Sequence, residues 1–231
     1  GGVSVRRDGA YLDWGWKGHN KGAMGMVLAR VTMCPGSAFM ILTLGGLATP
    51  YSFGRDYPRS MRKQMGARLR SFTPRELDQL ENLAPLNAFY GMNHYSTKFA
   101  RALADPPADD DCTGNVAELP TNSQRRAIGP VSGMSWLRVA PGGFRKLLNW
   151  VWNRYKRPII VTENGCPCPG ENQMSLEEAV NDEFRITYFG LYLDAISRAI
   201  YEDGVPVEGY YVWSLMDNFG KFLPPPTDSI V

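Results

Sequence analysis

The chain has 231 residues, of which 44% are hydrophobic and 21% are charged, and this composition excludes collagen, coiled coils and wholesale disorder. A chain of this length can bury a full core as one domain, or at most two. Lysine plus arginine number 25 and aspartate plus glutamate 23, so the net charge of +2 gives no electrostatic basis for binding nucleic acid or an anionic membrane.

The cysteine pattern argues against a metal site. One residue separates Cys166 from Cys168, whereas zinc knuckles space their thiols by two to four, and the chain has only two histidines. We therefore expect no metal, no cofactor and free thiols, as in a reducing compartment. The first residues lack the apolar stretch of a signal peptide and no Asn-x-Ser/Thr sequon occurs, which favours a cytoplasmic location. The longest apolar run, 38–44 continuing to 48, falls well short of the ~20 residues of a membrane span.

The first clear elements along the chain are a helix followed by a strand. Thr73 and Glu76 have the spacing of a capping box, with Pro74 at the first helical position. Residues 88–95 (AFYGMNHY) predict a buried strand that ends in polar groups. The Pro-, Asp- and Gly-rich residues 105–130 then predict a long surface loop.

Two further strand and helix units follow. Residues 143–157 predict a helix with one apolar face, formed by Phe144, Leu147, Leu148, Val151, Trp152 and Tyr155. Residues 159–161 are all apolar, which predicts a strand covered on both faces, and Asn164-Gly165 predicts a turn after it. A second capping box, Ser175 with Glu178, opens a helix that we expect to run to about residue 203, and 209–215 predict the last strand.

This alternation predicts parallel strands joined by helical crossovers. The architecture is then either an open doubly wound sheet or a closed barrel. No glycine-rich phosphate loop follows any strand, and the strands lead instead into the polar residues Asn93, Glu163 and Asp217. Functional groups at the carboxyl ends of several strands are typical of the barrel.

Glu163 is the strongest candidate for a functional residue. It ends an apolar strand, where a carboxylate has to be hydrogen-bonded or used in chemistry. A buried ion pair with an arginine or lysine is the alternative, and position alone does not decide between them.

The motifs around Glu163 resemble those of glycoside hydrolase family 1, the β-glucosidase family, and fungal members in particular. The blocks occur in family order: 47–58 (LATPYSFGRDYP), 71–97, 135–158 (beginning SWLRVAPGGFRKLLNW), 158–165 (PIIVTENG) and 202–219 (EDGVPVEGYYVWSLMDNF). Residues 24–31 give a weak match to a fifth barrel strand. The resemblance implies one partial (β/α)8 TIM-barrel domain over 1–231, corresponding to about strands five to eight, with 1–23 and 220–231 divergent.

The resemblance also implies roles for five residues. Glu163 matches the catalytic nucleophile and Tyr95 a tyrosine that hydrogen-bonds it. Asn93 matches an asparagine close to the nucleophile, Trp213 the platform under the glycone ring, and Trp136 a tryptophan on the aglycone side. A β-glucoside or short oligosaccharide is the implied substrate. From the residues alone, Tyr95, Trp136 and Trp213 could equally be core side chains, and Asn93 could cap a turn.

Two departures from the family limit these expectations. Asn-Glu-Pro, which carries the family's acid/base glutamate, does not occur, and the first four strands have no counterpart. After Asn218-Phe219 the family continues with Glu-Trp, whereas this chain has Gly220-Lys221. The sequence therefore leaves two functions open: a retaining β-glucosidase, or a catalytically inactive family member that binds sugar weakly. Half a barrel also exposes strand edges, through which the chain could associate with itself.

Overall fold

The structure is a computed structural model that describes residues 4–5, 12–13, 45–102 and 116–214. The weak fifth-strand match at 24–31, Asp217 and the divergent end at 220–231 lie outside these residues. The strands of the structure are β1 (Ser4–Val5), β2 (Leu12–Asp13), β3 (Tyr90–Asn93), β4 (Phe99–Ala102), β5 (Val116–Leu119), β6 (Ile159–Asn164) and β7 (Val207–Val212). Its α-helices are α1 (Gly45–Phe53), α2 (Arg59–Met65), α3 (Pro74–Leu83), α4 (Pro141–Tyr155), α5 (Leu176–Val180) and α6 (Glu183–Tyr201).

The central sheet is parallel, with the strand order β3-β6-β7. Helix α4 lies in the connection from β3 to β6, and α5 and α6 lie in the connection from β6 to β7. The strand-helix alternation and the parallel pairing predicted from the sequence are therefore confirmed. Parallel strands have their carboxyl ends at the same end of the sheet. The residues that end β3, β6 and β7 therefore lie close together.

The helices cover one face of this sheet. Helix α4 buries five of the six residues of its predicted apolar face, and only Trp152 stays partly exposed. These side chains form one cluster with Tyr90 and Met92 of β3 and with Ile159 and Val161 of β6. Tyr188 and Tyr192 of α6 complete the cluster and are almost fully buried. This core fixes β6 between its two neighbours.

The prediction of a single helix beginning after Ser175 is wrong. The capping box does form, but α5 ends at Val180, and α6 begins at Glu183. The Asp182 side chain accepts a hydrogen bond from the Arg185 backbone N–H at 2.8 Å and so caps a new helix. An N-cap inside an otherwise helical pattern therefore divides it into two helices.

Other boundaries also differ from the sequence prediction: the last strand is Val207–Val212 instead of 209–215, and the helix expected at 143–157 is Pro141–Tyr155. Strand β6 continues through Asn164 instead of ending at Val161, so Glu163 lies within the strand and the turn begins later. The segment predicted as loop contains β5, which pairs antiparallel with β4. The many turn-forming residues of this segment give no sequence signal for β5. Residues 103–115 lie outside the described residues.

The sheet has two edges without a partner strand in the described part of the chain, because β3 and β7 each pair only with β6. Tyr211 is 62% exposed and Val212 50% exposed at the end of β7. Among the helices described, none is both long and apolar enough to cross a bilayer.

Candidate active site

Glu163 lies at the carboxyl end of the central strand and is hydrogen-bonded by Tyr95. The Tyr95 hydroxyl donates to Oε2 of Glu163 at 2.5 Å, across 68 residues of sequence. Glu163 is partly exposed, and Asn93 at the end of β3 is its Cα partner in the neighbouring strand. No ion pair to Glu163 is found among the described residues, so the arginine or lysine alternative lacks support there.

The environment of Tyr95 keeps its hydroxyl protonated. Burial raises the pKa of Tyr95 well above its ordinary value, and the hydrogen bond to Glu163 raises it further. Tyr95 therefore remains a hydrogen-bond donor to the carboxylate throughout the neutral range. A donor that holds one carboxylate oxygen leaves the other oxygen of Glu163 for a ligand.

Asn93 supplies a buried donor beside this pair. Its side chain is 0% exposed, and its Oδ1 accepts a hydrogen bond from the Thr162 hydroxyl at 2.7 Å. Its Nδ2 has no acceptor within the described residues. A buried amide nitrogen without an acceptor costs free energy, so this orphaned donor marks Asn93 as a candidate for function.

Trp213 follows β7 and lies next to the end of β6. Its backbone N–H donates to the Asn164 carbonyl at 2.9 Å, and its side chain is 41% exposed. The approach requires a glycine, because a Cβ on Gly165 would lie 1.8 Å from the Trp213 carbonyl oxygen. An exposed indole offers an apolar face on which a sugar ring can stack.

Trp136 is linked to this site only through the backbone. Its carbonyl accepts a hydrogen bond from the Ser96 hydroxyl at 3.2 Å, next to Tyr95, and its ring packs partly buried against the core. The structure thus brings Glu163, Tyr95 and Asn93 together, places Trp213 beside them, and holds Trp136 at the adjoining loop.

Two residues of the site were missed by the sequence analysis. Thr162 orients Asn93, and the fully buried Asn164 binds several neighbouring elements. The sequence analysis places Asn164 in a turn, because Asn-Gly is typical of turns, and it gives Thr162 no role. The signal that could have identified them is their position within a strand that carries a polar side chain at each of its last three residues.

The described residues offer little to a metal ion. Within 45–102 and 116–214, no group of three or more His, Cys, Asp or Glu side chains could hold one. Burial raises the pKa of the Cys166 thiol to about 12, which keeps it protonated. Burial also lowers the pKa of His94 to about 3, so its ring stays neutral against Phe144.

The sequence profile of glycosyl hydrolase family 1 matches residues 37–223 of this chain. Beta-glucosidase 1B of the fungus Phanerodontia chrysosporium is 40% identical over 178 residues, which cover 77% of this chain and 32% of that protein. The chain therefore spans about a third of the length of this curated relative.

Solved structures give the same picture. Beta-glucosidase 2 of the fungus Trichoderma reesei superposes with a TM-score of 0.79 at 40% identity, covering 88% of this chain and 46% of that one. A rice β-glucosidase mutant solved in a covalent complex with Glc has a TM-score of 0.76 at 30% identity, covering 85% and 44%. These neighbours are (β/α)8 barrels, so the incomplete barrel and the resemblance to fungal β-glucosidases are confirmed.

Proposed function

Because this chain belongs to glycosyl hydrolase family 1, we propose that it acts as a retaining β-glucosidase on terminal β-D-glucosyl residues, with Glu163 as the nucleophile. The observation that carries this proposal is the hydrogen bond from Tyr95 to Glu163 at the carboxyl end of β6. Catalytic groups of barrel enzymes lie at this end of the strands. The covalent complex with Glc in the rice relative supports a covalent intermediate.

The proposed reaction has two displacements at the anomeric carbon. Glu163 attacks that carbon while the bond to the aglycone oxygen breaks, giving a glycosyl ester. The aglycone oxygen leaves with the bonding electron pair and takes a proton from solvent. Water then attacks the same carbon and gives a proton to solvent, which releases the sugar and restores the carboxylate. Tyr95 holds the carboxylate in place, and Asn93, whose Nδ2 has no acceptor among the described residues, binds the sugar beside it.

The two tryptophans are proposed to bind opposite parts of the substrate. The exposed ring of Trp213 stacks under the glycone, where it lies next to the end of the nucleophile strand. Trp136 lies at the loop after Tyr95 and contacts the aglycone. The substrate class is a β-glucoside or a short oligosaccharide with a terminal β-glucosyl unit.

A retaining glycosidase also needs a protonated carboxyl group ~5–5.5 Å from the nucleophile. The family's Asn-Glu-Pro does not occur in these 231 residues. Protonation of the leaving group contributes ~10²–10⁴ in rate, so substrates with poor leaving groups would react slowly. The second candidate function is a family member that binds the sugar weakly without turning it over.

An activated substrate separates the two functions. The aryl group of 2,4-dinitrophenyl β-glucoside leaves without a proton, so its release depends on the nucleophile alone. The proposal predicts release by the wild-type chain and by Glu208→Gln, an exposed glutamate of β7, but not by Glu163→Gln. Binding of glucose without any release would support the inactive member, and equal release by all three proteins would contradict the role of Glu163.

We further propose that the chain forms one partial barrel domain that associates with itself through the edges of β3 and β7, which have no partner strand among the described residues. Sedimentation velocity at increasing concentration would then show dimers or larger species. Val212→Lys places a charge at the exposed end of β7 and should weaken the association. A monomer at every concentration would contradict the proposal. The cytoplasmic location stays a prediction.

A further inference from the structure

The side chain of Asn164, next to the proposed nucleophile, is enclosed by hydrogen bonds. It is 0% exposed. Its Nδ2 donates to the His94 carbonyl at 2.7 Å and to the Tyr188 hydroxyl at 2.9 Å, and its Oδ1 accepts from the Tyr210 hydroxyl at 2.7 Å. Because a carbonyl can only accept, the contact with His94 fixes which end of the amide carries the nitrogen.

These three partners come from three different elements. His94 follows β3, Tyr188 lies in α6 and Tyr210 lies in β7. The Tyr188 hydroxyl also donates to the Gly165 carbonyl at 3.3 Å, so the turn after β6 is held by the same group. One side chain therefore joins the end of β6 to both neighbouring strands and to the helix behind them.

The backbone pairing alone does not fix Glu163 at this point. The register of β6 shifts against β3 between Met92 and Asn93, and against β7 between Val161 and Asn164. Backbone hydrogen bonds continue beyond these shifts: the His94 N–H donates to the Glu163 carbonyl and the Trp213 N–H to the Asn164 carbonyl, both at 2.9 Å. The Asn164 side chain adds three hydrogen bonds where the regular strand pairing is interrupted.

We propose that Asn164 is a positioning residue that holds Glu163 at the distance and angle needed to meet both Tyr95 and the anomeric carbon of the sugar. This inference rests on the proposed function of Glu163. The hydrogen bonds of Asn164 are buried. In such an environment a hydrogen bond is strong, and the loss of one partner leaves the other unsatisfied. A nucleophile displaced by ~1 Å can lose ~10² in rate.

Tyr210→Phe tests the proposal with a smaller change than Asn164→Ala, which risks the fold. It removes one donor to Asn164 and keeps the aromatic ring in place. The matched control is Tyr155→Phe, which removes a buried hydroxyl from the other end of the sheet, where Tyr155 stacks on Tyr90 at 5.0 Å. Both variants lose a phenolic hydroxyl, and their unfolding free energies are measured alongside.

The first readout is inactivation by an activated 2-deoxy-2-fluoro-β-glucoside, which traps the glycosyl ester. We expect Tyr210→Phe to lower the trapping rate at saturating reagent by ~10- to 100-fold with little change in the half-saturating concentration. Tyr155→Phe should trap like the wild type. Equal rates in the two variants at equal stability would overturn the proposal.

The second readout does not need turnover. In protein labelled with ¹³C at glutamate carboxyl carbons, the Glu163 signal is assigned by its loss in Glu163→Gln. Tyr210→Phe should shift or broaden this signal and Tyr155→Phe should not. If the wild type is not trapped, the proposed function fails, and the positioning of Glu163 by Asn164 is then judged by this signal, whose constancy in Tyr210→Phe would contradict it.

Discussion

Replacing Tyr95 with phenylalanine should destabilise the protein by an amount that depends on the charge of Glu163. The variant removes the donor of the 2.5 Å hydrogen bond and leaves the half-buried ring in place. A hydrogen bond to a charged group contributes ~1.5–3 kcal/mol and one between neutral groups ~0.5–1.5 kcal/mol. Tyr95→Phe should therefore cost ~2 kcal/mol in the wild type and ~1 kcal/mol in the Glu163→Gln background, where the acceptor is a neutral amide.

Urea unfolding at pH 7, followed by circular dichroism, measures both costs in a double-mutant cycle. With a slope of ~1–3 kcal/mol per molar urea, the difference of ~1 kcal/mol corresponds to a midpoint difference of ~0.3–1 M. Tyr211→Phe, at an exposed tyrosine, is the control and should stay within ~0.5 kcal/mol of the wild type. A coupling below ~0.3 kcal/mol would refute the charged hydrogen bond, since independent sites add within that error.

Three further predictions concern stability. Gly165→Ala should lower the unfolding free energy by ~1–3 kcal/mol or more because its Cβ would meet a carbonyl oxygen, whereas Gly142→Ala, with open space around it, should be neutral or slightly stabilising in the same urea titration. Arg185→Met should lower the unfolding free energy by ~1–3 kcal/mol, because Arg185 pairs with two carboxylates and donates to a carbonyl. The control Arg198→Met, at an exposed ion pair, should lower it by only ~0.3–0.5 kcal/mol. Similar losses in the two variants would contradict this ranking. Since the pKa of Tyr95 is raised above its ordinary 10.0, its contribution is present below pH 10 and is lost as the pH rises further. The thermal midpoint should therefore fall less above pH 10 in Tyr95→Phe than in the wild type, and parallel curves would count against this.

Local sequence patterns predict much of the fold. The i, i+3, i+4 spacing in α4 reflects burial against one partner surface, and the structure confirms it. The apolar run at 159–161 does form a strand, but its predicted coverage on both faces is wrong for Ile160, which is partly exposed between the buried Ile159 and Val161. The break between α5 and α6 does not follow from the helical pattern, which Asp182 interrupts by accepting a hydrogen bond from the Arg185 backbone N–H. The Arg185 side chain also donates to Glu171 and to the Cys166 carbonyl, contacts that join separate segments. That arrangement depends on tertiary contacts.

The candidate site divides in the same way. Glu163 could be identified from its place at the end of an apolar strand and from the motif around it. The contacts of Thr162 with Asn93 and of Asn164 with His94 join segments about 70 residues apart and depend on register shifts that leave no periodic signal. Hydrogen-bond partners of this kind follow from the packed sheet and could not be derived from spacing.

Mapping the trapped sugar tests the central claim most directly. The chain is incubated with an activated 2-deoxy-2-fluoro-β-glucoside, digested, and sequenced by tandem mass spectrometry. The account predicts one glycosylated peptide that contains 158–165 with the label on Glu163, and no label in Glu163→Gln. A label on another carboxylate, or equal labelling of the two proteins, would contradict the assignment of Glu163 as the nucleophile.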